Sequence, residues 1–195
     1  MYTAWGYSVE SLPPLMSVEE YNAATNNAYA NNPALSDTLA AASAAVRNIC
    51  GWHVAPSLEC VADLTAEGRL VRIPAKLITE ITTVTDGGAQ LGAGEYEARS
   101  DGLMRRCGFT RWASGWEAVH IEYTAGYDLD AAPDLANIVM RIVDAALSVP
   151  VGVASETAGN VSISYSGAAA GVAASAAQAY AFALVRYKVV GSHAA

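Results

Sequence analysis

The spacing of apolar residues along this chain changes from a helical period to a strand period and then back again. Between residues 57 and 123, apolar and polar side chains alternate in short runs that glycines separate. On either side of this stretch apolar residues recur three and four positions apart instead. A chain of repeating βαβ units would not show one block of short strands inside helical sequence. The pattern therefore predicts an α+β fold, in which a helical bundle carries a small antiparallel β-rich insertion over residues 57–123.

Helical sequence is best marked over residues 33–50. Asn32 is a good N-cap, Pro33 suits the first helical position, and Gly51 stands directly after the end. One face is apolar, whereas the others carry mainly alanine and serine, which indicates close packing on more than one side. The same periodicity predicts three further helices, near residues 17–29, 133–149 and 172–190.

Short strands are predicted throughout the insertion, at residues 58–64, 69–73, 77–85, 96–99, 103–107 and 118–123. The pair Asp86-Gly87 is a strong hairpin turn signal. A further alternating segment, residues 161–165, is separated from the insertion by a whole predicted helix. Because a lone strand cannot satisfy its backbone hydrogen-bonding groups, this segment must pair with another strand.

These elements divide the chain into an N-terminal arm, a helical core, a β-lobe and a C-terminal docking tail. The arm carries Pro13-Pro14 without a clear period and is expected to be extended or loosely ordered. The predicted bounds are residues 1–16 for the arm, 17–56 and 124–166 for the core, 57–123 for the β-lobe, and 167–195 for the alanine-rich tail.

The overall charge of −8 argues against tight nucleic-acid binding that ignores sequence, since such binding needs clustered lysines and arginines. No run reaches the roughly 18 apolar residues of a membrane span, and the N-terminus lacks the pattern of a signal peptide. No membrane partner is therefore expected. The three cysteines, Cys50, Cys60 and Cys107, indicate thiols in a reducing compartment rather than disulfides or zinc ligands.

Candidate catalytic residues are few, because the chain has only three histidines, His53, His120 and His193. His53 lies three positions after Cys50, and a small hydrolase that uses this pair is one hypothesis. Packing and a backbone hydrogen bond are the simpler explanation of His53. The expectation is therefore a protein without a catalytic residue, a metal site or a cofactor.

Two further groups of residues have structural explanations. The acidic cluster Asp128, Asp130 and Asp134 suits the N-terminus of the helix that follows, although a weak cation site is the alternative. Trp112 and Trp116 flank a Ser-Gly turn, where stacking on a ligand is conceivable. They are expected instead to close one end of the β-lobe.

Three stretches of the chain together resemble one known family. The first is residues 15–23 with 39–47 and Cys50-Gly51-Trp52-His53; the second is Tyr96-Glu97-Ala98 with Asp101-Gly102-Leu103, Trp112, Trp116 and residues 119–123; the third is Gly152-Val153-Ala154-Ser155-Glu156-Thr157, Gly159 and residues 161–165. Their order and spacing are similar to those of the head–tail connector proteins, also called head-completion or adaptor proteins, of siphovirus-type tailed bacteriophages. The resemblance covers residues 15–166 and rests on the ensemble of motifs.

The resemblance implies a structural virion protein of the head–tail neck, assembled in the cytoplasm of a bacterial host. It implies a helical bundle with a β-rich insertion that forms a twelve-fold homo-oligomeric ring on the portal protein. The ring would link the capsid to a stopper or tail-terminator protein, and genomic DNA would pass through its lumen without lasting contact. The family has no catalytic residues.

Contacts between subunits are expected from two elements. The alanine faces of the helix at 33–50 favour close approach of a neighbouring helix or subunit. The strand at 161–165 is expected to pair across a subunit boundary, while folding back on the β-lobe is the alternative. The expected contact residues are Ala41, Ala44, Val161, Ile163 and Tyr165.

The tail helix is apolar nearly all round and should not lie free in water. The resemblance implies that the C-terminal segment of an adaptor docks on the portal. The expected docking residues are Tyr180, Phe182, Leu184, Arg186, Tyr187 and Lys188. A chain that ends after residue 166 is expected to keep its fold but to lose this contact.

A second hypothesis from a different class is a virion-associated binding module, in which the β-lobe recognises a glycan or a peptide. Size in solution separates the hypotheses, because a ring elutes far above the 20.2 kDa of the single chain.

Overall fold

The computed structural model describes residues 2–148, 155–158, 161–164 and 169–189, the two short segments by backbone alone. The chain has the α+β fold that the periodicity predicts, with helices and antiparallel sheets segregated along the sequence. It divides into two compact units. The β unit comprises Met1–Leu12, Gly51–Asp128 and Tyr187–Ala195, and the helical unit comprises Pro13–Cys50 and Leu129–Arg186.

The β unit contains two antiparallel sheets. Its strands are β1 (Tyr2–Ala4), β2 (Tyr7–Val9), β3 (Leu58–Leu64), β4 (Leu70–Arg72), β5 (Ile78–Asp86), β6 (Ala89–Gln90), β7 (Tyr96–Ala98), β8 (Leu103–Arg106) and β9 (Val119–Ala125). Six of them form one sheet in the order β1-β2-β3-β9-β5-β6, and the other three form a smaller sheet in the order β4-β8-β7. All six strands predicted in the insertion are present, with ends that differ by at most two residues.

The large sheet has one buried and one open face because buried and more exposed residues alternate along its central strands β3 and β9. In β9, Val119, Ile121, Tyr123 and Ala125 are buried, whereas the residues between them are only partly covered. Each large apolar side chain removed from water in this way contributes about 1.5–3 kcal/mol. The alternation fixes the register, since a slip by one residue would turn the whole apolar row to solvent.

The structure of the N-terminal arm differs from the extended or loosely ordered segment that the sequence predicted. Residues 2–9 form a hairpin whose second strand pairs with β3, so they extend the large sheet. The two turn residues, Trp5 and Gly6, both have positive φ, 53° and 81°, as the tightest hairpin turns require. Tyr7 and Val9 are buried in the unit. Strands of three residues are too short to show a period, and tryptophan is not a typical turn residue.

The helical unit is built from α1 (Val18–Ala24), α2 (Leu35–Cys50), α3 (Pro133–Leu147), α4 (Ala169–Ala179) and α5 (Ala181–Leu184). The capping box predicted for α1 is present, because Ser17 and Glu20 bond to each other's backbone N–H groups. α1 nevertheless ends well before residue 29, since Asn26 and Asn27 adopt left-handed conformations. The side-chain oxygen of Asn32 accepts a bond from the Ala34 N–H just before α2 begins.

The core of the helical unit lies where α2, α3 and α4 pack against one another. α2 and α3 contribute long apolar side chains, whereas α4 contributes Ala173 and Ala177, which are completely buried. Side chains this small allow the helix axes to approach closely. Ser43 of α2 also accepts the N–H of Leu15, and Arg47 donates to the carbonyl of Pro13, so the lead-in to α1 is fastened to α2.

Two C-terminal elements differ from expectation. The helix predicted at 172–190 is divided into α4 and α5, and a 3₁₀ turn at Val185–Tyr187 follows. The strand predicted at residues 161–165 was expected to pair across a subunit boundary or with the β-lobe. Within the described chain it is one arm of a hairpin, since β10 (Ser155–Ala158) pairs in register with β11 (Val161–Ser164). The sequence of β10, Ser-Glu-Thr-Ala, has no large apolar residues whose alternation would mark a strand. Tyr165, named as a contact residue, lies outside the described residues.

Candidate assembly surfaces

His53 is a buried structural residue whose two ring nitrogens are both hydrogen-bonded. The Tyr7 hydroxyl lies 2.7 Å from Nδ1 and accepts the backbone N–H of His53 at 2.9 Å. Nε2 lies 2.8 Å from the carbonyl oxygen of Ala125, so Nε2 must carry the proton and donate it. The Tyr7 hydroxyl then donates to Nδ1, and the whole His53 side chain is buried. This arrangement is the packing role that sequence reasoning favoured.

The buried cysteines are not placed as nucleophiles. Cys50 and Cys60 are almost completely buried, and no cysteine in the described part of the chain forms a disulfide. Burial raises the pKa of the Cys60 thiol to about 12, which keeps it protonated and unreactive. The hypothesis of a hydrolase based on Cys50 and His53 therefore gains no support from accessibility or from an activated thiol.

The acidic cluster and the tryptophans behave in part as expected. Asp134 lies at the start of α3 and pairs with Arg186 at 2.9 Å. Trp112 is buried and donates from Nε1 to the Arg69 carbonyl, so it packs within the β unit, but Trp116 is 93% exposed.

Within the described residues, no three histidine, cysteine or acidic side chains are grouped to hold a metal. Over the same residues, no helix has the length and apolarity to cross a membrane.

The predicted alanine contact lies on an open face of α2. Ala44 is exposed and Ala41 is half-buried, whereas the adjacent Ala42 and Ala45 point into the core. Ala40 is also exposed and stands one turn before Ala44 on the same side. The result is a smooth strip without bulky side chains, which a helix from another subunit can approach closely.

The six residues predicted to dock on the portal separate into buried and exposed ones. Leu184 is buried in the helical unit, and Tyr187 is buried in the β unit, where its ring meets Tyr127 edge-on at 5.0 Å and its carbonyl accepts a bond from Trp52. Tyr180 is half-buried, and Arg186 is engaged with Asp134. Phe182, at 93% exposure, and Lys188 remain available to a partner.

One exposed aromatic residue was missed by the sequence analysis. Phe109 is 98% exposed, yet the loop that carries it is held in place by Arg69. The Arg69 guanidinium donates to the carbonyls of Arg106 and Gly108 and lies 5.9 Å from the centre of the Phe109 ring. No sequence pattern links an arginine to a loop some forty residues later, so the contact between Arg69 and this loop could not be predicted from the sequence.

Solved structures of particle necks share this fold. One chain from the neck of a native gene transfer agent (GTA) particle, computed with C12 symmetry, matches with a TM-score of 0.58 and 20% identity over 77% of this chain and 87% of its own. One from the neck of an empty GTA particle, computed with C6 symmetry, matches with a TM-score of 0.60 and 19% identity over 95% and 96%. No family model and no curated protein matches the chain. At the level of the fold, the resemblance drawn from the sequence motifs is confirmed.

Proposed function

We propose that this chain is a structural head-to-tail adaptor subunit in the neck of a tailed phage or phage-like particle. Copies of it form a ring that binds the portal, links the capsid to the stopper or tail, and surrounds a lumen through which DNA passes. The role is structural, without catalysis, and the place of action is the virion.

The observation that carries this proposal is the match with a neck chain over nearly the whole length of both proteins. The match therefore includes the β unit as well as the helical unit, rather than one common motif. The two necks were computed with C12 and C6 symmetry, which supports a cyclic homo-oligomer here. Nothing in the described residues offers a competing catalytic site, since the buried His53 and Cys60 are both in structural roles.

We assign three surfaces of the chain to its contacts with the neighbouring subunit and with the portal. The open alanine strip of α2, with Ala41 and Ala44, meets the neighbouring subunit. The β10–β11 hairpin adds its strands to a sheet edge of that neighbour, and backbone hydrogen bonds supply the affinity. Phe182 and Lys188, the accessible members of the predicted docking set, meet the portal.

Co-sedimentation with portal-bearing heads tests the portal contact. The full chain is mixed with heads that contain the portal protein encoded in the same genome, and bound protein is measured after centrifugation. The wild type and the control variant Phe109→Asp should sediment with the heads, whereas Phe182→Asp should remain in solution. Failure of the wild type to sediment would contradict the portal assignment.

A binding module remains the second candidate, and the exposed aromatic residues of the β unit favour it. Phe109 and Trp116 are almost fully exposed, and such side chains stack well on sugars or apolar peptides. Binding of the full chain to glycans or peptides that is lost in Phe109→Ala and Trp116→Ala, without any self-assembly, would favour this function over the ring.

A further inference from the structure

The open face of the six-stranded sheet is acidic. In the pairing register, Glu59 and Glu80 flank Thr124 in one row, and Glu122 lies in the next row between Val61 and Thr83. The third row places His120 between Asp63 and Thr85. The face therefore carries four carboxylates, and His120 is its one basic side chain. We call this surface the acidic face; its charged residues are Glu59, Asp63, Glu80 and Glu122.

Two of these carboxylates, Glu59 and Glu80, have no basic side chain beside them. His120 contacts Asp63 at 2.7 Å and reaches Glu122 only at 3.9 Å, and it adds positive charge only when protonated. Glu59 and Glu80 are exposed and make no ion pair with any residue the structure describes. They are two strands apart, or about 10 Å, which exceeds the Debye length of about 8 Å at physiological salt, so their mutual repulsion is largely screened. Both carboxylates are therefore open to pairing with a cation of a partner.

The smaller sheet of the β unit differs from the acidic face in the charge of its exposed side chains, because it presents arginines. Its outward rows carry two arginines, Arg72 and Arg105, and one carboxylate, Glu97. Two rows face outward from β4, β8 and β7, and Val71 and Met104 are buried on the other side. We call this surface the basic face; its residues are Leu70, Arg72, Glu97, Leu103 and Arg105.

The basic face also offers apolar area and a shallow groove. Leu70 is 44% exposed and Leu103 is half-buried, beside a groove of about 280 Å³ that both line together with one arginine, Arg72, and one carboxylate, Glu67. Arg105 is paired with Glu97 at 2.5 Å, whereas Arg72 is exposed and has no ion-pair partner among the described residues. The acidic face likewise has an apolar residue, the half-buried Val61, among its carboxylates. Apolar contacts can therefore accompany ion pairs when the two faces meet.

We propose that the acidic face of one copy docks on the basic face of the next copy. This inference rests on the ring proposed above and names the surfaces that join its subunits. A cyclic ring of more than two members needs two different surfaces on each subunit, because an interface of one surface with itself closes as a dimer. Two faces of opposite charge on separate sheets of one unit satisfy this need, and their attraction also excludes the incorrect pairing of like faces.

Charge reversal on each face tests the proposal. Glu59→Lys/Glu80→Lys leaves two positive and two negative charges on the acidic face and so removes its net negative charge, whereas Arg72→Glu/Arg105→Glu makes the basic face acidic. Each variant alone should lose the assembled species that the wild type forms, measured by native mass spectrometry and light scattering. A mixture of the two variants should assemble again with alternating subunits, because the introduced lysines then meet the introduced glutamates. The control Glu19→Lys/Glu117→Lys changes net charge equally at exposed sites outside both faces and should assemble like the wild type.

The remaining outcomes contradict the inference in different ways. If both variants assemble like the wild type, these faces do not join the subunits, although the ring itself stands. If the mixture stays unassembled while each variant folds normally by circular dichroism, the two faces do not recognise each other. If assembly is unchanged but Arg72→Glu/Arg105→Glu abolishes binding to duplex DNA, the basic face serves nucleic acid instead. A wild type that never assembles, even on portal-bearing heads, would overturn both this inference and the proposed function.

Discussion

The hydroxyl of Tyr21 on α1 donates a hydrogen bond of 2.5 Å to the carboxylate of Asp144 on α3. The two residues are 123 positions apart, and Tyr21 is completely buried. The bond therefore ties the first helix of the helical unit to its third. A buried hydroxyl bonded to a carboxylate is among the stronger side-chain contacts available to a fold.

Removal of this hydroxyl should destabilise the protein. Tyr21→Phe leaves the Asp144 carboxylate without its donor, at an expected cost of about 1–3 kcal/mol in the free energy of unfolding. Tyr29→Phe is the matched control, since Tyr29 lies 6.4 Å from Tyr21 between ring centres but is half-buried. Urea denaturation followed by circular dichroism measures both. Equal midpoints for wild type and Tyr21→Phe would contradict the role of this bond.

The same contact predicts a loss of stability at alkaline pH. Burial, together with the hydrogen bond to Asp144, raises the pKa of Tyr21 above its ordinary value. Because the folded state holds the proton more tightly, its contribution is complete below the unfolded pKa of about 10 and is lost as pH rises above it. The urea midpoint of the wild type should fall as pH rises above about 10, and that of Tyr21→Phe should fall less. Parallel declines would show that Tyr21 is not responsible.

Sequence reasoning succeeded where a pattern repeats over several residues. β3 was predicted with its observed ends, and β9 was located by the alternation of Val119, Ile121 and Tyr123. The capping box of Ser17 and Glu20 marked the start of α1, because that motif is read from neighbouring residues. Local signals therefore predicted the α+β class and the order of the main elements.

Contacts distant in sequence could not be predicted in this way. The hairpin at residues 2–9 is stabilised by pairing with β3 and by the bond from Tyr7 to His53, neither of which leaves a mark in the N-terminal sequence. The burial of Leu184 and Tyr187 likewise depends on distant partners. This burial argues against the expectation that a chain ending after residue 166 keeps its fold, since both cores would lose a large side chain. The expectation stays a prediction until the shortened chain is measured.

The bond between Tyr7 and His53 provides a second test of stability. In Tyr7→Phe, the His53 Nδ1 atom and backbone N–H both lose the partner recorded at 2.7 and 2.9 Å. Unsatisfied buried groups cost about 1–3 kcal/mol each, so this variant should be less stable than wild type by at least that amount. Tyr2→Phe, at an exposed position of the same hairpin, should unfold like the wild type. A Tyr7→Phe protein of unchanged stability would mean that the His53 network contributes nothing.

Thiol labelling tests the burial of the cysteines. Cys107 is partly exposed, whereas Cys50 and Cys60 are buried and the pKa of Cys60 is raised to about 12. A maleimide reagent should therefore modify one cysteine quickly in the folded protein and the other two only after unfolding, as counted by mass spectrometry. Rapid native labelling of Cys50 would revive the nucleophile hypothesis that the structure does not support.

The alanine strip of α2 predicts an assembly defect without a folding defect. Ala44→Glu places a charge on an exposed position, so the monomer should keep its circular dichroism spectrum and its unfolding midpoint. The closely packed contact between subunits should be lost, because a packed interface accepts little extra volume and no unpaired charge. The control Ala93→Glu makes the same change at an exposed position in a β-unit loop. Normal assembly of Ala44→Glu would remove the strip from the interface.

Rotational symmetry tests the central claim most directly. The purified chain, alone and mixed with the portal protein encoded in the same genome, is imaged by cryo-electron microscopy and its particles are averaged without imposed symmetry. The account predicts closed rings with a central channel and cyclic symmetry, as in the necks computed with C12 and C6 symmetry. Only separate 20.2 kDa monomers in both samples would contradict it.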